Sequence, residues 1–242
     1  MRAVPTLAAL RRRKLQDLIG HVRALIFDVD GTLAETEETH RRTFNETFAQ
    51  AGIPWCWNQA TYKDLLRVTG GKERMRAFDR MQKHRLWLSE AEIANLHRIK
   101  TQRYADLVSR GGCPLRPGVE TLIRGALARG QQLAIATTTT FSNVDALLSV
   151  TLDRDWKALF SAVVAGDDVP RKKPASDVYV EVLARLGHPA GTCLAIEDSG
   201  NGLIAAKGAR IPVLITRSAY FHDDDFFPAL AVVEELTELA GS

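Results

Sequence analysis

The chain contains 242 residues, of which 45 % are hydrophobic and 25 % are charged. This composition is typical of a folded globular protein and excludes extensive disorder, and the sequence has no apolar run near the roughly 18 residues that a transmembrane helix requires. The length is too great for a minimal domain and short for two full ones, so it predicts one main core with room for a smaller inserted unit.

The formal net charge of +3 is concentrated at the amino-terminal end. Residues 1–20 carry a net charge of +4, so residues 21–242 together carry −1. A nearly neutral body has no extended positive field for a polyanion, which argues against a nucleic-acid partner but leaves room for a local anion pocket. We therefore separate residues 1–21, as a basic N-terminal extension, from the folded body.

The cysteines and the N-terminal segment bear on the cellular compartment. Cys56, Cys113 and Cys193 are widely spaced, odd in number and in no metal-ligand pattern, which favours a reducing cytosol over a secreted disulfide framework. Residues 1–20 lack the hydrophobic segment of a secretory signal; their basic character faintly resembles an organelle transit peptide, but they are not rich in serine. We expect a cytoplasmic monomer with no membrane partner.

Short apolar runs mark the strands in chain order, at residues 22–27, 133–137, 162–165, 193–196 and 213–216. Helical patterns lie between the later four, and those at residues 118–130 and 176–187 each end at a glycine. This alternation is the pattern of a parallel sheet with crossover helices. The predicted fold class is α/β, with a doubly wound parallel core sheet.

The segment between the first two strands has a different character. Aromatic and charged residues recur there at helical spacing without a strand pattern, and GGCPLRPG at its end has the glycines and prolines of a linker. We predict an all-α helical cap domain at residues 36–115, inserted into a core formed by residues 22–35 and 116–242. Trp55, Trp57 and Trp87 are predicted to belong to the core of the cap.

Polar residues follow the apolar runs, where ligands bind in open parallel sheets. They include Asp28 and Asp30, Thr137 and Thr138, Lys172 and Lys173, and Glu197 and Asp198. Carboxylates about 4 Å apart repel by roughly 4 kcal/mol at an effective dielectric near 20, which implies a bound cation. Oxygen ligands without a nearby His or Cys favour Mg²⁺, and a threonine hydroxyl with a lysine suits a phosphate.

The segments DVDGT, ATT, KKP and EDSGNGLIAAKGA occur in this order and resemble the four signature motifs of the haloacid-dehalogenase superfamily. The resemblance implies that Asp28 is the nucleophile that forms an aspartyl-phosphate and that Asp30 is the general acid that then activates water. Thr137 and Lys173 would hold the transferred phosphoryl group. Lys173 precedes the proline as in the motif, so we interpret Lys172 as a solvated surface charge.

The same resemblance implies a Mg²⁺ cofactor. Its ligands would be Asp28, Asp198 and Asp30, the last through its side chain or the neighbouring carbonyl, with Glu197 beside them.

Segments of both predicted domains resemble one particular group of enzymes within this superfamily. AETEETHRRTFNETF, GGKER, HRIKTQRY and ATTTTFSN are together similar to CbbY-type xylulose-1,5-bisphosphate phosphatases, which are associated with the Calvin cycle and remove a sugar bisphosphate that inhibits Rubisco. The implied partner is a phosphorylated sugar. The implied substrate contacts are Glu37, Gly70, Gly71, Lys72, Glu73, Arg74, His97, Arg98, Ile99, Lys100, Thr137, Thr138, Thr139, Thr140, Phe141, Ser142 and Asn143.

A bisphosphate has a second phosphate some way from Asp28, so the cap must supply an anion site. The candidate cations are Lys72, Arg74, Arg98 and Lys100, while His40 and His97 are interpreted as packed or surface histidines. Two other functions share this core and cap: a sugar phosphomutase of the β-phosphoglucomutase kind, and a phosphoglycolate-type phosphatase. The first would accumulate a phosphorylated isomer, and the second would show a flat activity profile across monophosphates.

Overall fold

A computed structural model of the chain describes residues 7–84 and 86–239, so predictions on residues 1–6 lie outside the described residues. The strands are β1 (Ala24–Phe27), β2 (Gln132–Ala136), β3 (Ala162–Val164), β4 (Cys193–Glu197), β5 (Val213–Thr216) and β6 (Ala231–Val233). The helices are α1 (Leu7–His21), α2 (Glu37–Gln50), α3 (Gln59–Leu65), α4 (Gly71–Met81), α5 (Glu90–Val108), α6 (Val119–Ala128), α7 (Phe141–Thr151), α8 (Asp177–Leu186) and α9 (Gly200–Gly208).

The strands form one parallel six-stranded sheet in the order β3-β2-β1-β4-β5-β6. The chain winds outward from β1 in both directions, which confirms the predicted doubly wound α/β fold. The sequence analysis missed β6, because this strand has only three residues and its middle residue, Val232, is 41 % exposed.

Alternate residues of β1 pack on opposite faces of the sheet. Leu25 and Phe27 belong to a buried cluster with residues of α6 and α7, whereas Ala24 and Ile26 belong to a second cluster with residues of α8 and α9. Because both faces are covered by apolar side chains, polar groups on this strand are confined to its end. Asp28 is the first residue beyond it.

Helices α2 to α5 lie between β1 and α6 and share a separate buried cluster, against which Tyr220 and Phe221 of the segment after β5 also pack. Trp55 and Trp57 belong to this cluster as predicted. Trp87 does not: it is 71 % exposed in the turn before α5, where its φ is +53°, so its predicted place in the cap core is wrong. The boundaries of the cap domain stay a prediction. Across the described part of the chain, no helix has both the length and the apolar character needed to cross a membrane.

Candidate active site

A pocket lies at the carboxyl ends of β1, β2 and β4, beneath α2, α4 and α5. The core contributes to its lining Asp28, Asp30, Thr137, Thr138, Thr139, Thr140, Asn143, Lys172, Lys173, Asp198, Ser199, Asn201 and Phe221. The cap segments contribute Glu37, His40, Phe44, Leu66, Thr69, Gly70, Gly71, Arg74, His97 and Lys100. The structure therefore brings most of the sequence-predicted site residues into one cavity.

The ammonium group of Lys173 lies between two carboxylates. Its Nζ donates to Asp28 Oδ1 at 2.5 Å, to Glu197 Oε1 at 2.6 Å and to the carbonyl oxygen of Ala136 at 2.8 Å. Burial favours the neutral amine, but the two carboxylates outweigh it and hold the pKa of Lys173 above its usual value. A fixed positive charge is therefore in place beside Asp28.

Three buried carboxylates form the acidic group that a cation would neutralise. Oxygens of Asp28, Glu197 and Asp198 lie within 4.8 Å of one another. Burial, with Lys173 acting in the opposite direction, raises the pKa of Asp28 to about 8. Burial and the charges of Asp28 and Glu197 raise the pKa of Asp198 well above its usual value. These shifts show how strongly the buried group needs positive charge.

Asp198 gives the sharpest test of whether this group fits a metal ion. Its Oδ2 is buried and finds no hydrogen-bond partner among the residues that the structure describes. Glu197 Oε1, by contrast, already accepts from Lys173 and from the Tyr179 hydroxyl, at 2.6 Å in each case. An unpartnered carboxylate oxygen in an acidic group fits a hard divalent cation such as Mg²⁺. Asp28 and Asp198 are the residues best placed to hold it.

Gly31 makes this arrangement sterically possible. Its φ is +82°, and a Cβ there would lie 2.0 Å from Asp198 Oδ2. We expect Gly31→Ala to lower the free energy of unfolding by about 1–3 kcal/mol and to weaken the binding of Mg²⁺, because Asp198 must move. Gly130→Ala is the matched control: Gly130 has φ of +72° with no atom within 4 Å. Equal affinity for Mg²⁺ in the two variants would contradict the explanation that Gly31 must approach Asp198 closely.

Asp30 lies apart from the acidic group, in a separate hydrogen-bond chain. Its Oδ1 accepts from Thr36 Oγ1 at 2.5 Å and from His40 Nε2 at 3.1 Å, while His40 Nδ1 accepts from Lys100 Nζ. Burial opposes ionisation, but His40, Thr36 and the charge of Lys100 outweigh it and hold the pKa of Asp30 well below its usual range. The Asp30 carboxylate is thus not brought to the metal group, and its backbone carbonyl as a ligand stays a prediction.

His40 is therefore both packed, as the sequence predicts, and connected to the site. It is 5 % exposed and stacks on Tyr104 with ring centroids 4.1 Å apart. Burial, followed by the charge of Lys100, lowers the pKa of His40. The neutral ring can donate to Asp30 and accept from Lys100 at the same time.

Lys100 supplies a cation to the pocket, and its burial is expected to lower the free energy of unfolding. It is 3 % exposed, and burial lowers its pKa to about 7, well below the value near 10.4 of an unfolded chain. Between these two pKa values, the unfolded state binds more protons than the folded state. The destabilisation caused by the buried Lys100 is therefore fully present below about pH 7 and disappears as the pH rises toward 10. We expect Lys100→Met to be more stable than wild type by about 1–3 kcal/mol at pH 7.

Denaturant unfolding of wild type and Lys100→Met at pH 7 and pH 10 checks this expectation. The stability difference should shrink at the higher pH. A difference that is unchanged or grows with pH would contradict it.

The loop after β2 is positioned by backbone contacts. Thr137 is buried; its N–H donates to the carbonyl oxygen of Val164 at 3.1 Å, and its Oγ1 accepts from the N–H of Thr139 at 3.3 Å. Gly166 approaches the loop so closely that a Cβ there would lie 2.1 Å from the carbonyl oxygen of Thr138. The loop leads directly into α7, whose N-cap is Thr140. Backbone N–H groups at a helix start are suited to an anion.

Positive charge also reaches the pocket from the cap and from the segment between β3 and α8. Arg74 and Lys100 are buried, and Lys172 is paired with Glu73 at 3.2 Å across the cap and core. Burial, followed by the charges of Lys100, Lys72 and Lys172, lowers the pKa of His97 to about 3. The interpretation of Lys172 as a solvated surface charge is wrong, because its side chain is only 16 % exposed and lines the pocket.

Several sequence-predicted residues are not part of the lining: Lys72, Glu73, Arg98, Ile99, Phe141, Ser142 and Glu197. Arg98 is exposed and bonds to Asn95 on the same helix, Lys72 is paired with Asp167 at 3.7 Å, and Phe141 is 43 % exposed. The first six come from unbroken sequence segments, whereas a helix presents only some of its residues to one side. Their substrate contacts stay predictions. Glu197 was predicted beside the metal ligands, and it lies with Asp28 and Asp198 in the acidic group.

The pocket also contains residues that the sequence analysis did not assign to it, among them Phe44, Leu66, Thr69, Ser199, Asn201 and Phe221. His40 follows Glu37 by three positions on α2, and this spacing is a signal that both belong to one face. Ser199 and Asn201 lie inside the fourth motif. Phe221 had no local signal, because it reaches the pocket through the tertiary packing of the segment after β5.

A model of the haloacid dehalogenase-like hydrolase family matches residues 22–210. Protein CbbY of Rhodobacter capsulatus is 50 % identical over 223 residues, which cover 90 % of this chain and 96 % of that protein. The chain belongs to the CbbY proteins of the haloacid dehalogenase-like hydrolase family. It is therefore a hydrolase of the phosphatase type.

Solved structures of CbbY have the same fold as this chain. CbbY from Rhodobacter sphaeroides, crystallised with phosphate, is 43 % identical with a TM-score of 0.86, over 91 % of this chain and 97 % of that one. A variant of the same protein, crystallised with xylulose 1,5-bisphosphate, gives the same identity, TM-score and coverage.

Proposed function

We propose that the protein is a Mg²⁺-dependent phosphatase that hydrolyses xylulose 1,5-bisphosphate through an aspartyl-phosphate on Asp28. The observation that carries the proposal is the lining of one pocket. Asp28, Lys173 and Asp198 come from the core, and Arg74 and Lys100 bring positive charge from the cap. Cations from both parts suit a substrate with two phosphates, and the Rhodobacter sphaeroides relative was crystallised with such a molecule.

In the first step, a carboxylate oxygen of Asp28 attacks phosphorus and the bond to the sugar oxygen breaks. Asp30 takes up a proton from solvent as the phosphate dianion binds, and it gives that proton to the sugar oxygen. Thr137 and Lys173 hold the phosphoryl oxygens, and Lys173 keeps Asp28 oriented through their 2.5 Å hydrogen bond. Mg²⁺, held by Asp28 and Asp198, would supply charge stabilisation of the phosphoryl group.

In the second step, Asp30 takes a proton from water as the water oxygen attacks phosphorus. The bond between phosphorus and Asp28 breaks, which frees the Asp28 carboxylate and inorganic phosphate. The chain of Thr36, His40 and Lys100 holds Asp30 ionised, which is the state that this step needs. A phosphate dianion nearby raises the pKa of a carboxyl group, which favours the protonated state required for the first step.

The proposal also covers the cellular location, the oligomeric state and the partners of the protein. We infer a cytoplasmic monomer whose partner is a phosphorylated sugar rather than a nucleic acid or a membrane. Its role would be to remove an inhibitor of Rubisco in the Calvin cycle. The charge distribution and cysteine pattern of the sequence support this setting.

Substrate ranking tests the proposed function. We expect kcat/KM for xylulose 1,5-bisphosphate to exceed those for ribulose 1,5-bisphosphate, phosphoglycolate and β-glucose 1-phosphate, with activity lost in EDTA and restored by Mg²⁺. Product analysis separates hydrolysis from isomerisation. Accumulation of glucose 6-phosphate would contradict the proposal in favour of a phosphomutase, and equal turnover of phosphoglycolate would contradict the assignment of the cap.

A further inference from the structure

Tyr62 connects two pocket residues without lining the pocket itself. It is fully buried on α3, and its hydroxyl donates to Glu37 Oε2 at 2.8 Å while accepting from Arg74 Nη1 at 2.9 Å. Glu37 and Arg74 both line the cavity. One phenol oxygen therefore joins an anionic and a cationic side chain of the cap.

The directions of these hydrogen bonds are fixed by charge. A guanidinium only donates, and an ionised carboxylate only accepts, so the hydroxyl must accept from Arg74 and donate to Glu37. Burial raises the pKa of Tyr62 well above its usual value, so the hydroxyl keeps its proton. Hydrogen bonds with an ionised partner are the stronger kind, and here both bonds have one.

The ring of Tyr62 is held in place on several sides. Its centroid lies 6.0 Å from that of Trp57 and 6.4 Å from that of Phe44, and the ring of Tyr220 meets its edge at 5.7 Å. Arg74 is itself fixed by a second bond, from Nε to the carbonyl oxygen of Leu65 at 3.2 Å. The hydroxyl therefore has little freedom, and neither has the carboxylate that it binds.

We propose that Tyr62 is a positioning residue that holds the Glu37 carboxylate as an acceptor for the hydroxyl groups of the sugar-phosphate chain. The inference rests on the proposed function, because only a polyol substrate offers hydroxyl donors to this carboxylate. Glu37 is the acidic residue that the cap places in the pocket lining among the described residues. Glu37 lies in the same pocket lining as Arg74 and Lys100, where its negative charge opposes the binding of a phosphate. A hydrogen-bond donor is the group of the substrate that this carboxylate suits.

Tyr62→Phe removes the hydroxyl and keeps the ring. We expect kcat/KM for xylulose 1,5-bisphosphate to fall about 10- to 100-fold, mainly through KM, since a charge-assisted hydrogen bond is lost. 1,5-Pentanediol bisphosphate has both phosphates but no free hydroxyl group to recognise, so its kcat/KM should change less than about threefold. Tyr220→Phe is the matched control, because it removes a phenol hydroxyl from the same aromatic group that instead donates to Glu38 at 2.8 Å. It should leave the preference between the two substrates unchanged.

The outcomes separate the two proposals. Equal losses on both substrates in Tyr62→Phe would show a merely structural role, and no loss on either would show no role; each overturns the inference. An unchanged preference in Tyr62→Phe, in an enzyme whose wild type favours xylulose 1,5-bisphosphate, overturns the inference and leaves the proposed function standing. A wild type without that preference overturns the proposed function, and the inference falls with it.

Discussion

Asp28→Asn is expected to lower phosphate release by about 10⁴-fold or more, because the amide is a poor nucleophile and no aspartyl-phosphate forms. Asn has nearly the shape of Asp, and its amide oxygen can still accept the hydrogen bond from Lys173, so the side chain should be tolerated in the fold. We expect a thermal unfolding temperature within a few degrees of wild type.

Phosphate release and thermal unfolding of the purified variant check this expectation. Asp145→Asn is the matched control, since Asp145 is an aspartate of α7 outside the pocket lining, in an ion pair with Lys157 at 3.0 Å. It should retain full activity. Activity within tenfold of wild type in a folded Asp28→Asn protein would refute Asp28 as the nucleophile.

Lys173→Met is expected to lose both stability and activity. Removal of the ammonium group leaves Asp28 and Glu197 buried without their shared positive partner and leaves the Ala136 carbonyl oxygen without its donor. Breaking a buried ion pair in this way costs about 3–5 kcal/mol of unfolding free energy. Phosphate release should fall at least about 10²-fold, because Lys173 both orients Asp28 and neutralises the phosphoryl group.

A double variant separates the two effects. In Lys173→Met with Glu197→Gln, one of the uncompensated charges is removed, so we expect at least about 1 kcal/mol of stability to return without recovery of activity. Denaturant unfolding and phosphate release measure the two quantities independently. A single Lys173→Met variant as stable and as active as wild type would contradict this account of the site.

The sequence predicts the core of the site well because its residues follow directly from strand ends. An apolar run that is buried on both faces must place its first polar residues at the edge of the sheet, as Asp28 and Asp198 show. Lys173 was distinguished from Lys172 only by a motif, and both lysines reach the pocket in the structure. Sequence position alone does not reveal that the cap supplies Glu73 as a partner for Lys172.

The cap was harder to predict at the level of single residues. Its helical character and its aromatic core follow from residue spacing, but the face that each helix turns toward the pocket depends on tertiary packing. This is why Arg98 and Lys100 differ: Lys100 is buried against His40, whereas Arg98 on the same helix is exposed. The hydrogen bonds of Tyr62 join α2, α3 and α4 and have no signature in the sequence.

The most direct test of the central claim compares the bisphosphate substrate with the two corresponding monophosphates. With purified protein and Mg²⁺, kcat/KM is measured for xylulose 1,5-bisphosphate, xylulose 1-phosphate and xylulose 5-phosphate. Because the proposed function assigns the second phosphate to the cations of the cap, we predict that kcat/KM for the bisphosphate exceeds that for either monophosphate by about 100-fold or more. A monophosphate that is hydrolysed as efficiently as the bisphosphate would contradict the claim that the cap binds the second phosphate.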